Sequence, residues 1–449
     1  MRMKARTAGH NPAPLNKGIR ATLGILSALV VMACLGAYPF PAAADDFPPA
    51  SPYLGEIRRD ASGNLIVAPA KAPVTDTPGS SASGSTRTLR VGPQREIRSI
   101  GVAAVQARDG DTVEIEAGDY IADVAVWKQR NLTIRGVGGY ARLVAAGVSA
   151  EKKAIWVIRG GDITIENVEF TGARVPDKNG AGIRFERGRL FIRNCRFLDN
   201  EMGILSGGGD SELDIENSEF GHNGAGDGYS HNLYVGAIKK LRVSGSYFHH
   251  ARVGHLLKSR AAENHILYNR LTDEKGGRAS YELEFPGGGV AYVIGNIIQQ
   301  SATTENSSII SFGAEGYKWP KNEIYLINNT LINDRPEGGS FLTVRPGAQT
   351  IKAYNNLLLG RRQLNTGIDG EFINNPNVDA TSFILADRHD YRIRRESPLH
   401  RTYRSPGIAN SGMDLAPTQE YVHPAASRPL ATAPILPGAR QTLQPDKSP

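Results

Sequence analysis

Cysteine is scarce: among 449 residues only Cys34 and Cys195 occur. Cys34 lies in an N-terminal targeting segment, so the mature chain keeps one thiol and has no internal disulfide. Cys195, within Ile-Arg-Asn-Cys-Arg-Phe, reads as a packed thiol. Helix-type apolar periodicity is scarce too, which argues against helical bundles and helical repeats. Beyond the N-terminal apolar run no stretch is apolar enough to span a membrane. The body carries no Lys/Arg run of the nucleic-acid type. Nucleotide, haem and zinc motifs are missing, and the histidines lack the close paired spacing of a zinc site. No organic cofactor and no nucleic-acid partner are therefore expected.

Glycine, by contrast, is abundant at 50 residues, and short β runs punctuated by Gly and Asn dominate. The formal charge is +7 and the sequence pI about 9.2. A basic surface favours acidic partners, and an acidic polysaccharide is the expected one. At the N-terminus, Arg2, Lys4, Arg6, Lys17 and Arg20 precede an apolar run from Ala21 to about Ala37. Ala42-Ala43-Ala44 then fits a cleavage site, so residues 1–44 read as a signal peptide cut after Ala44, and a secreted or periplasmic location follows. Retention of the run as an anchor, and a weak lipoprotein-like box at Val31-Met32-Ala33-Cys34, are the alternatives. Residues 45–86, rich in Pro, Ser, Gly and Ala, read as a disordered linker, and 411–449 as an extended Pro-rich tail.

Residues 87–410 contain an internal repeat. Its copies include Ile165-Glu166-Asn167-Val168-Glu169-Phe170, Ile192-Arg193-Asn194-Cys195-Arg196-Phe197 and Ile215-Glu216-Asn217-Ser218-Glu219-Phe220. Taking Asn167, Asn194, Asn217, Gly245, Tyr268, Gly295, Asn328 and Asn355 as equivalent, the steps are 27, 23, 28, 23, 27, 33 and 27 residues. Apolar and polar residues alternate within each copy, and the steps leave no room for a ten-residue helix. The expected fold is all-β, a right-handed parallel β-helix of one domain, monomeric, with Asn and Gly at left-handed corners and Asn amides stacked from coil to coil.

Ser99-Ile100-Gly101-Val102-Ala103-Ala104-Val105-Gln106-Ala107, Asp109-Gly110-Asp111-Thr112-Val113-Glu114-Ile115 and Asp390-Tyr391-Arg392-Ile393 add to this. With them the chain resembles the pectate-lyase-like β-helix superfamily over residues 87 to about 410. The resemblance implies a short helix capping the N-terminal end. It implies the fold more than the activity, since such folds host lyases, hydrolases, epimerases and adhesins.

Three consecutive coils are unusually polar: Asp227 to Val235, Gly254 to Arg260, and Ser280 to Phe285. Counting back from the repeat anchors stacks Leu233, Leu257 and Leu283 in the core. Strand alternation then turns Tyr234, Lys258 and Glu284 outward in one column, and Asn232, Leu256 and Glu282 outward in the next. His231 and His255 fall at the strand entry, beside a groove edge. His249-His250 follows the turn, and His222 and Asp227 sit in a Gly-rich loop that rims the groove. Proton abstraction beside a uronate carboxylate needs a base, a cation for the carboxylate and an acid for the leaving oxygen. Lys258 is the expected base, Arg260 the cation, and Tyr234, His231 or His255 the acid. Asn232 and Asp227 are expected at the substrate, with Tyr317 and Trp319 offering flat faces to sugar rings. Glu282 and Glu284, with Asn232 nearby, offer oxygens to Ca²⁺.

Lys258-Ser259 and Glu282-Leu283-Glu284 also resemble motif pieces of the chondroitinase-B and alginate-lyase group, although here the acidic pair follows the lysine and Glu284 stands where an Arg is expected. The leading expectation is a polysaccharide lyase acting by β-elimination. A glycoside hydrolase using Glu282 and Glu284, roughly 6–7 Å apart along one strand, a uronate epimerase and a non-catalytic glycan-binding solenoid are the alternatives.

Overall fold

The structure is a computed structural model that describes residues 57–59, 65–67, 87–304, 306–361, 364 and 368–442. The expected signal peptide and most of the expected linker lie outside these residues. Two compact units divide the chain, Met1–Val67 and Ala68–Pro449. In the first, Ile57–Arg59 pairs antiparallel with Leu65–Val67 inside the segment read as a linker.

The second unit is a parallel β-solenoid of about ten coils. Each coil runs through three faces. The first can be followed from Asp162–Glu166 through Arg189–Arg193, Gly209–Glu216 and Ile238–Ser244, and the second from Val168–Thr171 through Arg196–Leu198, Glu219–Gly221 and Tyr247–His249. The third is a 9-stranded sheet running from Ala125–Trp127 to Ser340–Val344. Neighbours in each are one coil apart, as the repeat steps require. At the N-terminal end the helix Ile100–Gln106 covers the first coil and buries Ile100, Ala103 and Ala104. Ser99 caps it, and the Asp123 carboxylate accepts from the Ile100 and Gly101 amides at 2.6 and 2.9 Å.

Every anchor of the repeat turns out to be a left-handed corner. Asn167, Asn194, Asn217, Tyr268, Asn328 and Asn355 have φ between 46° and 57°, and Gly245 and Gly295 have 59° and 68°. The coil-to-coil ladder runs mainly one residue later, through Cys195, Ser218, Ser246, Asn269, Asn296, Asn329, Asn356 and Asn375. Each of the first seven donates its backbone N–H to the next member's hydroxyl or amide oxygen at 2.8–3.1 Å. Cys195 is buried on this ladder, and burial pushes its thiol up to about 12. Inside, Phe170, Phe197, Phe220 and Phe248 stack with centroids 5.0, 4.6 and 4.6 Å apart.

The C-terminal segment departs from expectation. Residues 411–442 are packed on the solenoid, not extended as a tail, and the rest of the expected tail lies outside the described residues. Leu415 joins a buried cluster with Tyr268, Tyr292 and Tyr325, while Tyr421, Leu436 and Ala439 pack with Ile297, Ile332 and Leu357. Solenoid faces that carry such apolar side chains outward must be covered, and this segment covers them.

Candidate functional site

Short strands of the 9-stranded sheet present the polar coils. Leu233–Val235, Leu257–Ser259 and Leu283–Phe285 pair in parallel, with Leu233, Leu257 and Leu283 in register and fully buried. Alternation therefore turns Tyr234, Lys258 and Glu284 outward as one column, in the register the repeat predicts. Arg184 lies on the same column, two coils before Tyr234. It is half-buried and its Nε has no hydrogen-bond partner.

The neighbouring column does not form as expected. Asn232, Leu256 and Glu282 precede strands only three residues long, so they stand at the corner, where alternation no longer sets direction. Asn232 is fully buried; its Oδ1 accepts from Asn223 and its Nδ2 donates to the His249 carbonyl at 2.8 Å. Leu256 is in the core. Glu282 is fully buried with neither oxygen hydrogen-bonded, and burial, then the nearby Asp273, pushes its carboxyl well above the usual range. Glu282, Glu284 and Asn232 thus do not converge on one cation, and the expected calcium site does not fit them. Nor do Glu282 and Glu284 share a face as a hydrolytic pair.

One residue earlier, the strand-entry residues His231 and His255 are buried, 2% and 6% exposed, against the outward column. The His231 and His255 rings meet at a tilt of 47° with centroids 4.4 Å apart, and His231 lies parallel to Tyr234 at 5.6 Å. The His255 backbone N–H donates to His231 Nδ1 at 2.9 Å. His255 Nδ1 is 3.1 Å from Glu284 Oε2, a close contact without hydrogen-bond alignment. The same oxygen is 3.0 Å from Lys258 Nζ. Burial raises Glu284, but His255 and Lys258 together outweigh it and hold the carboxyl below its usual range. Burial holds His255 below the ordinary imidazole range against the opposing pull of Glu284, and holds His231 well below it.

Arg260 completes the cluster. Its NH1 donates to the Tyr234 hydroxyl at 2.5 Å, and its Nε and NH2 grip Glu315 at 2.9 and 2.6 Å. Glu315 also stands 3.5 Å from Lys258 Nζ. It comes from the loop 313–320, which lengthens one repeat step, and the loop's aromatics fix it. The Trp319 indole N–H donates to the Arg260 carbonyl at 3.0 Å, and the Tyr317 hydroxyl to the Arg345 carbonyl at 2.5 Å. Both polar handles are thus used to hold the loop. Asp227 accepts from the Tyr229 amide and the Ser230 hydroxyl, each at 3.0 Å, and so shapes its own turn. Tyr229, on that same turn, is 83% exposed.

The cluster therefore unites Tyr234, Lys258, Arg260, His231, His255 and Glu284. It excludes Asn232 and Glu282, and adds Glu315, which repeat counting cannot place because it arrives on an insertion. Chemically it offers two partly buried cations, a hydroxyl that accepts from Arg260, and an imidazole backed by a carboxylate.

Residues 96–296 match the family model described as a right handed beta helix region. No curated protein matches the chain. Among solved structures, pectate lyase Pel9A is similar at 13% identity with a TM-score of 0.46, over 75% of this chain and 98% of that one. ORF18 of Geobacillus virus E2 is similar at 13% identity and a TM-score of 0.39, over 60% of this chain and 53% of that one.

Proposed function

The fold is a right-handed parallel β-helix, and on that scaffold we propose a secreted enzyme that cleaves an acidic, uronate-containing polysaccharide by β-elimination. The observation that carries this reading is the convergence of Lys258, Arg260, Tyr234 and the His255–Glu284 pair on one face.

Elimination removes the proton beside the uronate carboxylate, forms a carbon–carbon double bond and expels the glycosidic oxygen, which must be protonated. Lys258 and Arg260, each already paired with carboxylates, provide the charge that neutralises the sugar carboxylate. Binding exchanges part of their contact with Glu315 for contact with substrate. The base must be neutral at rest. His255 meets that condition, because burial keeps it below the ordinary imidazole range and Glu284 stands behind it to receive the resulting charge. His255, in place of the expected Lys258, is then the base. Tyr234 is the acid: Arg260 donates to its oxygen and leaves its O–H proton for the leaving group. A chain laid along the column brings a further uronate towards Arg184. Tyr229 offers a ring face at the rim.

The test is a screen of acidic polysaccharides with the purified chain, following the ultraviolet absorbance of unsaturated uronates. Wild type is expected to generate absorbance. His255→Gln should lower kcat by on the order of 10²–10⁴, the usual worth of a general base, and Lys258→Ala should mainly raise KM. Activity should fall as pH drops through a value below the ordinary imidazole pKa of about 6.5, as His255 gains a proton. Reducing ends without absorbance would favour hydrolysis, for which Glu284 and Glu315, both in contact with Lys258 Nζ at 3.0 and 3.5 Å, are the available carboxylates. Binding without any product would replace the enzyme with a glycan-binding solenoid.

A further inference from the structure

Around the corner from this face, three imidazoles meet. The strands Glu219–Gly221 and Tyr247–His249 pair in parallel with Gly221 opposite His249. The next residues, His222 and His250, both take a left-handed backbone, with φ 56° and 46°. Identical corners in successive coils point side chains the same way, and the two rings lie nearly parallel with centroids 4.7 Å apart. His249 closes the group: its Nδ1 is 2.8 Å from His250 Nδ1, and one ligand nitrogen from each of the three lies within 4.8 Å of the others. Position 221 must be glycine for this arrangement, since a Cβ there would come within 2.2 Å of the His249 ring.

A carboxylate behind the cluster points to a ligand. His249 Nε2 faces Glu219 Oε1 at 3.3 Å. A carboxylate that accepts a hydrogen bond from Nε2–H fixes the tautomer and directs the Nδ1 lone pair inward, which is the usual support for a metal-bound histidine. Nδ1 of His249 and Nδ1 of His250 are within hydrogen-bond distance of each other, and an ion bound between them takes the place of that hydrogen bond. Bonds of about 2.0–2.1 Å place two nitrogens roughly 2.9 Å apart where they meet near 90°, as at Cu²⁺ or Ni²⁺, and roughly 3.3–3.4 Å apart at tetrahedral Zn²⁺. His222 is exposed and leaves the cluster open to solvent.

We propose that His222, His249 and His250 form a binding site for a divalent transition metal. Three neutral imidazoles without thiolate suit Cu²⁺, Ni²⁺ or Zn²⁺, whereas Ca²⁺ requires oxygen ligands. The ion ties two successive coils together at the root of the loop that carries Asp227 and Tyr229. It stands apart from the proposed catalytic cluster, and no elimination step passes through it. No linear zinc motif reveals it, because His222 stands 27 residues before His249 and meets the adjacent His249-His250 only through coil stacking.

The experiment strips the purified full chain with chelator, then titrates it with Zn²⁺, Cu²⁺ and Ca²⁺ by calorimetry and records thermal midpoints with and without metal. One equivalent of Zn²⁺ or Cu²⁺ is expected, with a raised midpoint, and no comparable response to Ca²⁺ at this site. His222→Gln alters an exposed side chain and should fold; it is expected to weaken binding at least about tenfold and to remove most of the midpoint rise. His400→Gln, at a partly exposed histidine outside both clusters, should do neither. Cu²⁺ spectra of wild type should show several equatorial nitrogens, fewer in His222→Gln. Absence of Zn²⁺ and Cu²⁺ binding, or tight binding that His222→Gln leaves unchanged, overturns the proposal.

Discussion

Asp273 and Glu282 are both fully buried, and one oxygen of the first and both of the second lack hydrogen-bond partners. Burial chiefly pushes Asp273 up to about 7, with Glu274 adding to it, although the Ala279 amide and the Thr304 hydroxyl pull the other way. The folded chain therefore holds a proton on Asp273 that the unfolded chain, with an ordinary aspartate pKa near 3.9, releases. Its stabilising contribution is complete below about pH 4 and is lost as pH rises towards 7, at up to roughly 1.4 kcal/mol per pH unit. Glu282 drifts the same way and Glu274 the opposite way, so the informative quantity is a difference. Denaturant unfolding at a series of pH values should show Asp273→Asn losing less stability than wild type between about pH 4 and pH 7; parallel pH curves would refute the assignment. The contrast between Glu282 and Glu284 marks how far sequence reading reaches at this scale. Alternation places Glu284 correctly because it lies within a strand, but it fails for Glu282 and Asn232, which lie at the corner just before one.

At the scale of the coil, two adjacent positions of the repeat do different physical work. The corner residue adopts a left-handed backbone, which Asn and Gly tolerate at low cost. The residue after it carries the ladder. Asn296 is fully buried, accepts from the Asn269 backbone at 2.8 Å and side chain at 3.1 Å, and donates to the Ile266 carbonyl at 2.7 Å. Asn296→Ala leaves these groups unpaired and should cost about 1–3 kcal/mol for each buried group that finds no substitute. Asn217→Gly, at a corner with φ 50°, should change stability by only a few tenths of a kcal/mol. Urea midpoints of the two variants test the division; equal losses would show that corner and ladder are not separable. The period and the corners were legible because they recur from coil to coil, and counting back from them placed Leu233, Leu257 and Leu283 in one stack. The ladder's true position was harder to read, since Cys195, Ser218 and Ser246 fill its first rungs and share only size and polarity with Asn. Glu315 was not legible at all as a site residue, because an insertion carries no register.

Over the whole molecule, coils contribute mostly to their neighbours, so stability in a solenoid is close to a sum over stacked interfaces. The C-terminal segment breaks that locality by running back across several coils. Its contacts reach Tyr268, Asn328, Thr330 and Asn355: the Tyr268 hydroxyl binds Thr418, Asn328 Nδ2 donates to the Leu436 carbonyl, Ala439 donates to Thr330 and Gly438 to the Asn355 carbonyl. Composition alone suggested a tail, because Pro-rich segments lack periodicity whether they are free or packed. The apolar positions Leu415, Tyr421 and Leu436 acquire meaning only beside outward-facing tyrosines and isoleucines of the coils. Truncation after residue 410 should therefore uncover that surface, lower the thermal midpoint and promote self-association, each large side chain newly exposed costing about 1.5–3 kcal/mol at most. Leu436→Ala, which removes one fully buried side chain, should cost about 2–5 kcal/mol. These contacts lie on the first two faces of the coils, whereas the column of Tyr234, Lys258 and Glu284 lies on the third. Leu436→Ala protein that remains folded should accordingly keep the wild-type kcat on any polysaccharide it cleaves. A fall in kcat at a temperature where circular dichroism shows the chain intact would mean that the packed segment also holds the geometry of the third face.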